Sequence, residues 1–226
     1  MCIRDSLQEI TPYTPCLAIL SNHQPDGVVR CTCQIQNVPI SLGRAIAFVS
    51  RLATLDTFRA VTHNKGIMNG VDAVIIATGN DFRAIEAGVH AYASKDGKYT
   101  SLTKISLING MFKFWIELPL SVGTVGGITN LHPLVKWSLN LLNNPSAKQL
   151  MKIVAVSGLA QNFAAIQSLI TTGIQKGHMK MHLINILNTL NANDKEKDLL
   201  INHFKKNTVS FSSVQDELVK LRKIGI

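Results

Sequence analysis

The chain has few aromatic side chains and, over one long stretch, no acidic residue at all. Aromatic residues make up 6% of the 226 positions, and the net charge is +9. Between Leu118 and Asn193 there is no Asp or Glu, whereas five lysines fall there: Lys136, Lys148, Lys152, Lys176 and Lys180. A basic region without aromatic stacking platforms disfavours nucleic-acid binding. It fits either a compact polyanionic ligand or an ordinary solvated surface.

Other scarcities exclude further classes of protein. A hydrophobic content of 46% with only 16% charged residues is typical of a packed globular protein and not of a disordered chain. No apolar run reaches the roughly 18 residues that a membrane span requires, because Lys and Gln interrupt even the segment 152–165. No secretory signal is visible, so the four cysteines are predicted to be reduced thiols of a cytosolic protein. Cys31 and Cys33 share one face of a strand, where packed thiols are favoured over a metal site.

Hydrophobic periodicity predicts an α/β (α+β) protein that is mainly helical. An apolar run at 16–22 and an alternating run at 28–37 flank the turn sequence His23-Gln-Pro-Asp-Gly27, which predicts a β-hairpin. The segment 64–70 is predicted to be a loop. Further strands are predicted at 99–106 and 113–118, and helices at 41–60, 81–95, 132–143, 146–156, 161–172, 178–190 and 212–223.

Four short motifs hold the residue types that chemistry needs: Thr62-His-Asn-Lys-Gly-Ile-Met-Asn-Gly70, Ala77-Thr-Gly-Asn-Asp-Phe-Arg83, Gly158-Leu-Ala-Gln-Asn162 and Gly177-His-Met-Lys-Met-His182. Each also has an ordinary interpretation. Lys65 between Asn and Gly suits a solvated turn, and Asp81 suits the first position of a helix. His178 and His182 have the spacing of zinc ligands, but Met179 stands where a metalloprotease has glutamate, so no metal is predicted.

Taken together and in this order, the four motifs resemble the catalytic half of class II 3-hydroxy-3-methylglutaryl-CoA reductases, over about residues 17–191. The resemblance implies that Lys65 stabilises the alkoxide formed from the thioester, with Asp81 setting proton affinities around it. It makes His178 the acid that protonates the departing CoA thiolate. It points to Asp81 rather than to Asp72. The positions that it assigns to substrate binding are Arg59, Thr62, Asn69, Gln161, Asn162 and His182.

The same resemblance implies a cofactor, NADH or NADPH, that approaches the backbone of the glycine-rich segment at Gly126 and Gly127. The basic stretch then suits the phosphates of coenzyme A. The expected protein is a cytoplasmic homodimer that shares its active site between two copies, binds neither nucleic acid nor membrane, and makes mevalonate in isoprenoid biosynthesis.

Two departures from the family's pattern predict a fragment. The family's catalytic glutamate precedes the lysine, but the acids upstream of Lys65 are only Asp5, Glu9, Asp26 and Asp56, and the cofactor motif Asp-Ala-Met-Gly is absent. Residues 1–6 are similar to a translated sequencing adapter and are expected to be non-native. The expected layout is the end of a small NAD(P)-binding domain at 7–40, a large catalytic and CoA-binding domain at 41–172, and a C-terminal flap at 173–226.

This fragment alone is expected to be inactive. Two other functions stay open at the level of sequence. One is a CoA-binding or dimer-forming fragment without catalysis, and the other is a basic nucleic-acid-binding protein favoured only by net charge.

Overall fold

The computed structural model describes residues 3–14, 16–108, 110–171, 173–205 and 207–223, and the side chains of residues 3, 4, 174–178 and 180 lie outside that description. The chain divides into two compact units, Met1–Ala164 and Ala165–Ile226. Helices predominate and the strands form one small antiparallel sheet, so the predicted mainly helical α+β class is confirmed.

Within the described residues, the first unit combines the sheet with six α-helices, the last of which continues past the unit boundary. Its helices are α1 (Ile3–Ile10), α2 (Ile40–Leu55), α3 (Thr57–Ala77), α4 (Phe82–Ala93), α5 (Pro133–Leu141) and α6 (Ala147–Ile170). Its strands are β1 (Val28–Gln36), β2 (Thr103–Ile108) and β3 (Met111–Pro119).

Strand β3 lies at the centre of the sheet, in the order β1-β3-β2, with both neighbours antiparallel to it. One face of β3 consists of fully buried apolar side chains: Phe112, Phe114, Ile116 and Leu118. The register places Cys31 opposite Ile116 and Cys33 opposite Phe114, which confirms that the two cysteines share a face.

The predicted hairpin at 16–37 is wrong. Residues 16–22 form no strand, and Leu17, Ile19 and Leu20 are exposed. Strand β1 pairs instead with β3, from Val28 opposite Pro119 to Gln36 opposite Met111. The nine-residue apolar alternation of β3 offers a longer and better buried partner than the short run before the turn.

Helix α6 continues through Gly158, where the sequence predicted two separate helices. A Cβ added to Gly158 would lie 2.9 Å from Cγ2 of Val71, so this glycine serves close packing and does not end the helix. By length and composition α6 is, among the described residues, the one helix apolar enough to cross a membrane, which departs from the sequence expectation. A core helix of a soluble protein passes the same test, and a third of the apolar window is buried within the protein.

The second unit contains helices α7 (Ile174–Thr189), α8 (Asp194–His203) and α9 (Phe211–Lys223). Its core residues come from all three helices: Leu183, Ile186, Leu187, Leu200, Val214 and Leu218. Helix α8 was not predicted, although Asn193 and Glu196 form a capping box at its start. The buried Glu196 carboxylate also accepts hydrogen bonds from Nε (2.7 Å) and Nη2 (3.1 Å) of Arg222, which ties α8 to α9.

Candidate functional site

Lys65 lies in the middle of helix α3, so the predicted loop at 64–70 is wrong. Asp56 begins the helix, because its carboxylate accepts hydrogen bonds from the backbone N–H groups of Phe58 (3.1 Å) and Arg59 (3.3 Å). This cap satisfies two of the four N–H groups that a first turn leaves without a partner. The lysine is therefore carried on a regular helical backbone, which fixes its position better than a turn does.

Four of the predicted site residues lie along one side of α3. Arg59, Thr62, Lys65 and Asn69 follow one another at intervals of three or four residues, the spacing of neighbours on a helix surface. Thr62, Lys65 and Asn69 are exposed, whereas Arg59 is half-buried. Burial lowers the pKa of Arg59 from its ordinary value, yet a guanidinium stays protonated at neutral pH. We call these four residues the α3 strip: two cations and two hydrogen-bonding side chains that face the same way.

Helices α3 and α6 touch through glycine. A Cβ added to Gly70 would lie 2.6 Å from the carbonyl oxygen of Ser157 and 2.8 Å from Cβ of Gln161. The hydroxyl of Ser157 donates to the carbonyl of Gly70 at 2.9 Å, which holds the two backbones at this separation. The contact brings the exposed Gln161 beside the turn of α3 that carries Asn69. Gln161 therefore joins the edge of the α3 strip.

The neighbouring Asn162 points the other way. Its side chain is 1% exposed, and its Oδ1 accepts a hydrogen bond from the hydroxyl of Thr103 at 3.1 Å. Thr103 Oγ1 also lies 2.7 Å from Nε2 of His63. The structure thus gives Asn162 a place in the core, where the sequence predicted contact with substrate.

Asp81 caps helix α4, as its position in the sequence indicates. Its Oδ1 accepts a hydrogen bond from the backbone N–H of Ala84 at 3.1 Å, and its carboxylate remains exposed. Gly79, two residues earlier, has φ +70°, and a Cβ there would lie 2.7 Å from Ile128, so only glycine fits this turn. The capping role and a catalytic role are compatible, because a cap holds the carboxylate in one place.

A single copy of the chain does not bring Lys65 and Asp81 together. Ile75 follows Lys65 by ten positions in α3, which corresponds to about 15 Å of helix rise. The carbonyl of Ile75 accepts the backbone N–H of Asn80 at 2.9 Å, so Asp81 begins α4 near the far end of α3. Within the described residues neither side chain forms a salt bridge.

The glycine-rich segment that precedes α5 has an open backbone. Gly126 and Gly127 have φ +79° and +52°, and a Cβ added at either would meet no atom within 4 Å. The side chain of Asn80 accepts the N–H of Gly123 at 2.7 Å, which fastens this segment beside the turn that holds Asp81. Positive φ and free space fit the close approach of a cofactor to the main chain.

The two candidate histidines belong to the second unit. Helix α7 carries both, and His182 is exposed, whereas the side chain of His178 lies outside the described residues. Among the residues that the structure does describe, no three His, Cys, Asp or Glu side chains lie close enough to hold a metal ion. Because the imidazole of His178 is not among them, the predicted absence of a metal site stays a prediction.

Asp72, which the family resemblance passes over in favour of Asp81, has an unusual environment in the structure. Its position is seven residues after Lys65, on the side of α3 that bears the α3 strip. Burial, the negative charge of Glu86 and a hydrogen bond between the two carboxyls raise the pKa of Asp72 to about 6. In the sequence, the interval of seven residues between Lys65 and Asp72 equals two helix turns, and it indicates that both residues lie on the same side of α3.

Comparison with known proteins gives consistent matches. A family model described as hydroxymethylglutaryl-coenzyme A reductase matches residues 2–183. The 3-hydroxy-3-methylglutaryl-coenzyme A reductase of Archaeoglobus fulgidus is 49% identical over 150 residues, which cover 66% of this chain and 34% of that protein. The probable 3-hydroxy-3-methylglutaryl-coenzyme A reductase of Borreliella burgdorferi is 42% identical over 187 residues, which cover 80% of this chain and 43% of that protein.

Solved structures show the same likeness. The 3-hydroxy-3-methylglutaryl-coenzyme A reductase from Streptococcus pneumoniae superposes with a TM-score of 0.70 and 39% identity, over 97% of this chain and 55% of that chain. A class II enzyme from the same organism, bound to NADPH in open conformations, gives a TM-score of 0.69 at 39% identity, over 97% of this chain and 56% of that one. The chain spans less than half of the two curated relatives and just over half of these two solved structures.

Proposed function

The chain belongs to the hydroxymethylglutaryl-coenzyme A reductase family, and we propose that it supplies catalytic residues for reduction of 3-hydroxy-3-methylglutaryl-CoA to mevalonate and free coenzyme A. Two NADH or NADPH are consumed, because the thioester carbon accepts two hydrides in succession. The observation that carries the proposal is the α3 strip. A substrate with a carboxylate at one end and a thioester at the other needs a guanidinium, a second cation and hydrogen-bond donors on one surface, and α3 presents these together.

Lys65 holds its ammonium at the thioester carbonyl oxygen, where negative charge develops as hydride adds to the carbon. A cation fixed on a helix stabilises that charge without having to move during the reaction. Asn69, one turn later on the same side, is placed to hydrogen-bond to and orient the lysine. Arg59 binds the substrate carboxylate, for which the planar guanidinium has matching geometry. Thr62 and Gln161 donate further hydrogen bonds to the bound substrate.

The separation of Lys65 from Asp81 supports a homodimer with a shared active site. If both residues serve one substrate, a second copy has to supply one of them, since about 15 Å of helix rise keeps them apart within a copy. A two-fold dimer then forms two equivalent sites, each with the lysine of one copy and the aspartate of the other.

NADPH or NADH fits the open backbone at Gly126 and Gly127, where a Cβ added at either glycine would meet no atom within 4 Å. When bound, the cofactor supplies the hydride for each reduction. The contribution of this chain is to hold the glycine-rich segment in place through Asn80 and to keep the turn at Gly79 compact.

The second unit supplies the acid. His178, on α7, protonates the coenzyme A thiolate as it leaves, a task that suits histidine because the ordinary pKa of an imidazole lies near neutrality. His182, one turn later, faces coenzyme A. We assign both to a mobile C-terminal flap at 173–226 and assign residues 41–172 to a large catalytic and CoA-binding domain. The assignment of 7–40 to the end of a cofactor domain stays a prediction.

The proposal places the protein among the soluble, cytoplasmic class II enzymes of the mevalonate route to isoprenoids. A CoA-binding or dimer-forming role without catalysis is the second candidate. The observation that favours it is that the acids upstream of Lys65 in this sequence, Asp5, Glu9, Asp26 and Asp56, do not match the family's catalytic glutamate.

The test is to produce the chain with and without the N-terminal half of the Streptococcus pneumoniae enzyme and to follow NAD(P)H oxidation with 3-hydroxy-3-methylglutaryl-CoA. We expect turnover only in the complemented sample. In that sample Lys65→Ala should lower kcat by at least ~100-fold, because a preorganised cation at the developing oxyanion is lost.

Lys195 provides the matched control, since it is an exposed lysine on a helix of the second unit. Lys195→Ala should leave turnover unchanged. Equal activity of the two alanine variants would remove the catalytic role of Lys65, whereas CoA binding without turnover in any complemented sample would favour the non-catalytic fragment.

A further inference from the structure

A buried polar network lies directly beneath the α3 strip, two residues from Lys65. His63 is 2% exposed, and its Nε2 lies 2.7 Å from Oγ1 of Thr103 at the start of β2. Thr103 Oγ1 donates onward to Oδ1 of Asn162 on α6 at 3.1 Å. Three separate elements are thus joined by two hydrogen bonds that share a single hydroxyl group.

The partners of the Thr103 hydroxyl bear on the tautomer of His63. Besides Nε2 of His63, this hydroxyl has two neighbours that can take its one hydrogen, Oδ1 of Asn162 at 3.1 Å and Oγ of Ser101 at 3.2 Å. When it donates to either of them, its oxygen accepts from His63 and Nε2 carries the proton. Nδ1 of His63 is then the unprotonated nitrogen, consistent with its having no hydrogen-bond partner among the described residues.

Asn64 adds a second link from the same turn of α3 to the chain that leads into β2. Its Nδ2 donates to the carbonyl of Thr100 at 2.9 Å, and its Oδ1 accepts the N–H of Leu102 at 3.0 Å. With both His63 and Asn64 held from the inside, the helix cannot rotate about its axis without breaking buried hydrogen bonds. Breaking them is unfavourable because each buried polar group would lose its partner.

We infer that His63 is a positioning residue: as the Nε2–H tautomer it holds α3 to α6 through the Thr103 hydroxyl, and so sets the direction in which Lys65 and Gln161 face. This inference rests on the proposed function. Lys65 and Gln161 each adjoin a member of the network, Lys65 two residues after His63 and Gln161 one residue before Asn162. A small rotation of α3 would move Lys65 and a small rotation of α6 would move Gln161, and misplacement by about 1 Å can cost as much as 100-fold in rate.

The tautomer can be measured on the chain itself. A long-range ¹H–¹⁵N NMR spectrum at neutral pH distinguishes the two nitrogens of an imidazole by their shifts. We expect Nε2 of His63 protonated and Nδ1 unprotonated, with the preference lost in Thr103→Val, which removes the acceptor at nearly constant volume. A protonated Nδ1, or an unchanged spectrum in Thr103→Val, would overturn the inference.

The positioning role is tested by kinetics in the sample complemented with the Streptococcus pneumoniae half. Thr103→Val should lower kcat about 10-fold or more with KM changed less than about 3-fold, since catalytic alignment is affected more than binding. Thr103→Ser keeps the hydroxyl, and His63→Gln keeps a terminal N–H donor, so both should stay within about 3-fold of the parent kcat.

Lys65→Ala in the same assay separates this inference from the proposed function. Loss of turnover in Lys65→Ala with full activity in a folded Thr103→Val protein would refute the positioning role alone. Turnover insensitive to Lys65 would instead refute the proposed function. An equal loss of kcat in Thr103→Ser and Thr103→Val would also contradict the inference. It would show that the hydroxyl, which only the serine variant retains, does not matter, and that Thr103 acts through packing.

Discussion

Two glycines of the same helix should respond in opposite directions to substitution by alanine. Gly66 and Gly70 are one turn apart in α3, and both lie in the segment 64–70 that the sequence predicted to be a loop. A Cβ at Gly66 would meet no atom within 4 Å, whereas a Cβ at Gly70 would lie 2.6 Å from the carbonyl oxygen of Ser157 and 2.8 Å from Cβ of Gln161. The pair therefore separates helix propensity from helix packing.

Gly66→Ala should stabilise the protein by about 0.5–1 kcal/mol, since alanine in a helix interior restricts the unfolded chain without straining the folded one. Gly70→Ala gains the same propensity term but overpacks the contact with α6, which typically costs about 1–3 kcal/mol. Because the obstructing atom is a backbone oxygen, a side-chain rotation cannot relieve it. The expected net effect is a destabilisation of about 1–2 kcal/mol.

Urea unfolding monitored by circular dichroism measures both values, and thermal unfolding gives a second estimate at about 2–4 °C per kcal/mol for a chain of this size. Gly158→Ala supplies an independent check from the opposite helix, where a Cβ would lie 2.9 Å from Cγ2 of Val71. If Gly66→Ala and Gly70→Ala stabilised the protein equally, α3 and α6 would not be packed as described. Gln161 would then not lie beside the α3 strip.

Three further predictions concern titration, ion pairing and proton donation to the leaving thiolate. Burial, with the nearby charge of Arg59, lowers the pKa of His63 to about 4, so between pH 6.5 and 4 the unfolded chain binds more protons than the folded protein. The free energy of unfolding should therefore fall by about 2 kcal/mol from pH 7 to pH 5. Urea titrations measure this fall, and His63→Gln should remove it. Arg222→Gln should return the lowered pKa of Glu196 towards its ordinary value, because the hydrogen bond from the guanidinium is lost. Amide hydrogen exchange in α8 and α9 should become faster, most clearly above pH 4.5, where the carboxylate is charged. His178→Gln should slow thioester reduction far more than reduction of added mevaldehyde, and a chelator should leave both unaffected; equal slowing, or inhibition by chelation, would contradict the acid role.

Local signals predicted several elements well. Asp81 caps α4 and Pro133 is the first residue of α5, as the sequence predicted. Helix α9 matches the helix predicted at 212–223 and has the expected cations in its last turn. These features depend on a few neighbouring residues, so they can be recognised without knowing what lies across the fold. The capping-box residues Asn193 and Glu196 had the same local character, and α8 could have been predicted from them.

Errors arose where distant residues decide the structure. Gly70 and Gly158 are the glycines of two helices that approach closely, and only the partner helix distinguishes such glycines from loop glycines. Strand β1 finds its partner more than seventy residues later, so the adjacent run at 16–22 was wrongly preferred. For the site, the four motifs supplied Arg59 and Lys65 through resemblance, but the hydroxyl that joins His63 to Asn162 comes from Thr103, outside every motif.

The proposed sharing of the active site gives one more prediction, which depends on the separation of Lys65 from Asp81. In the complemented sample, Lys65→Ala and Asp81→Asn should each be nearly inactive alone. If the two copies of a dimer each contribute one of these residues, a mixed dimer has one site with both substitutions and one site with neither. Random pairing makes half of the dimers mixed, so an equal mixture should recover about a quarter of the parent activity. No recovery after co-refolding, with mixed dimers verified by mass spectrometry, would show that one copy brings both residues to the substrate and that α3 and α4 rearrange to do so.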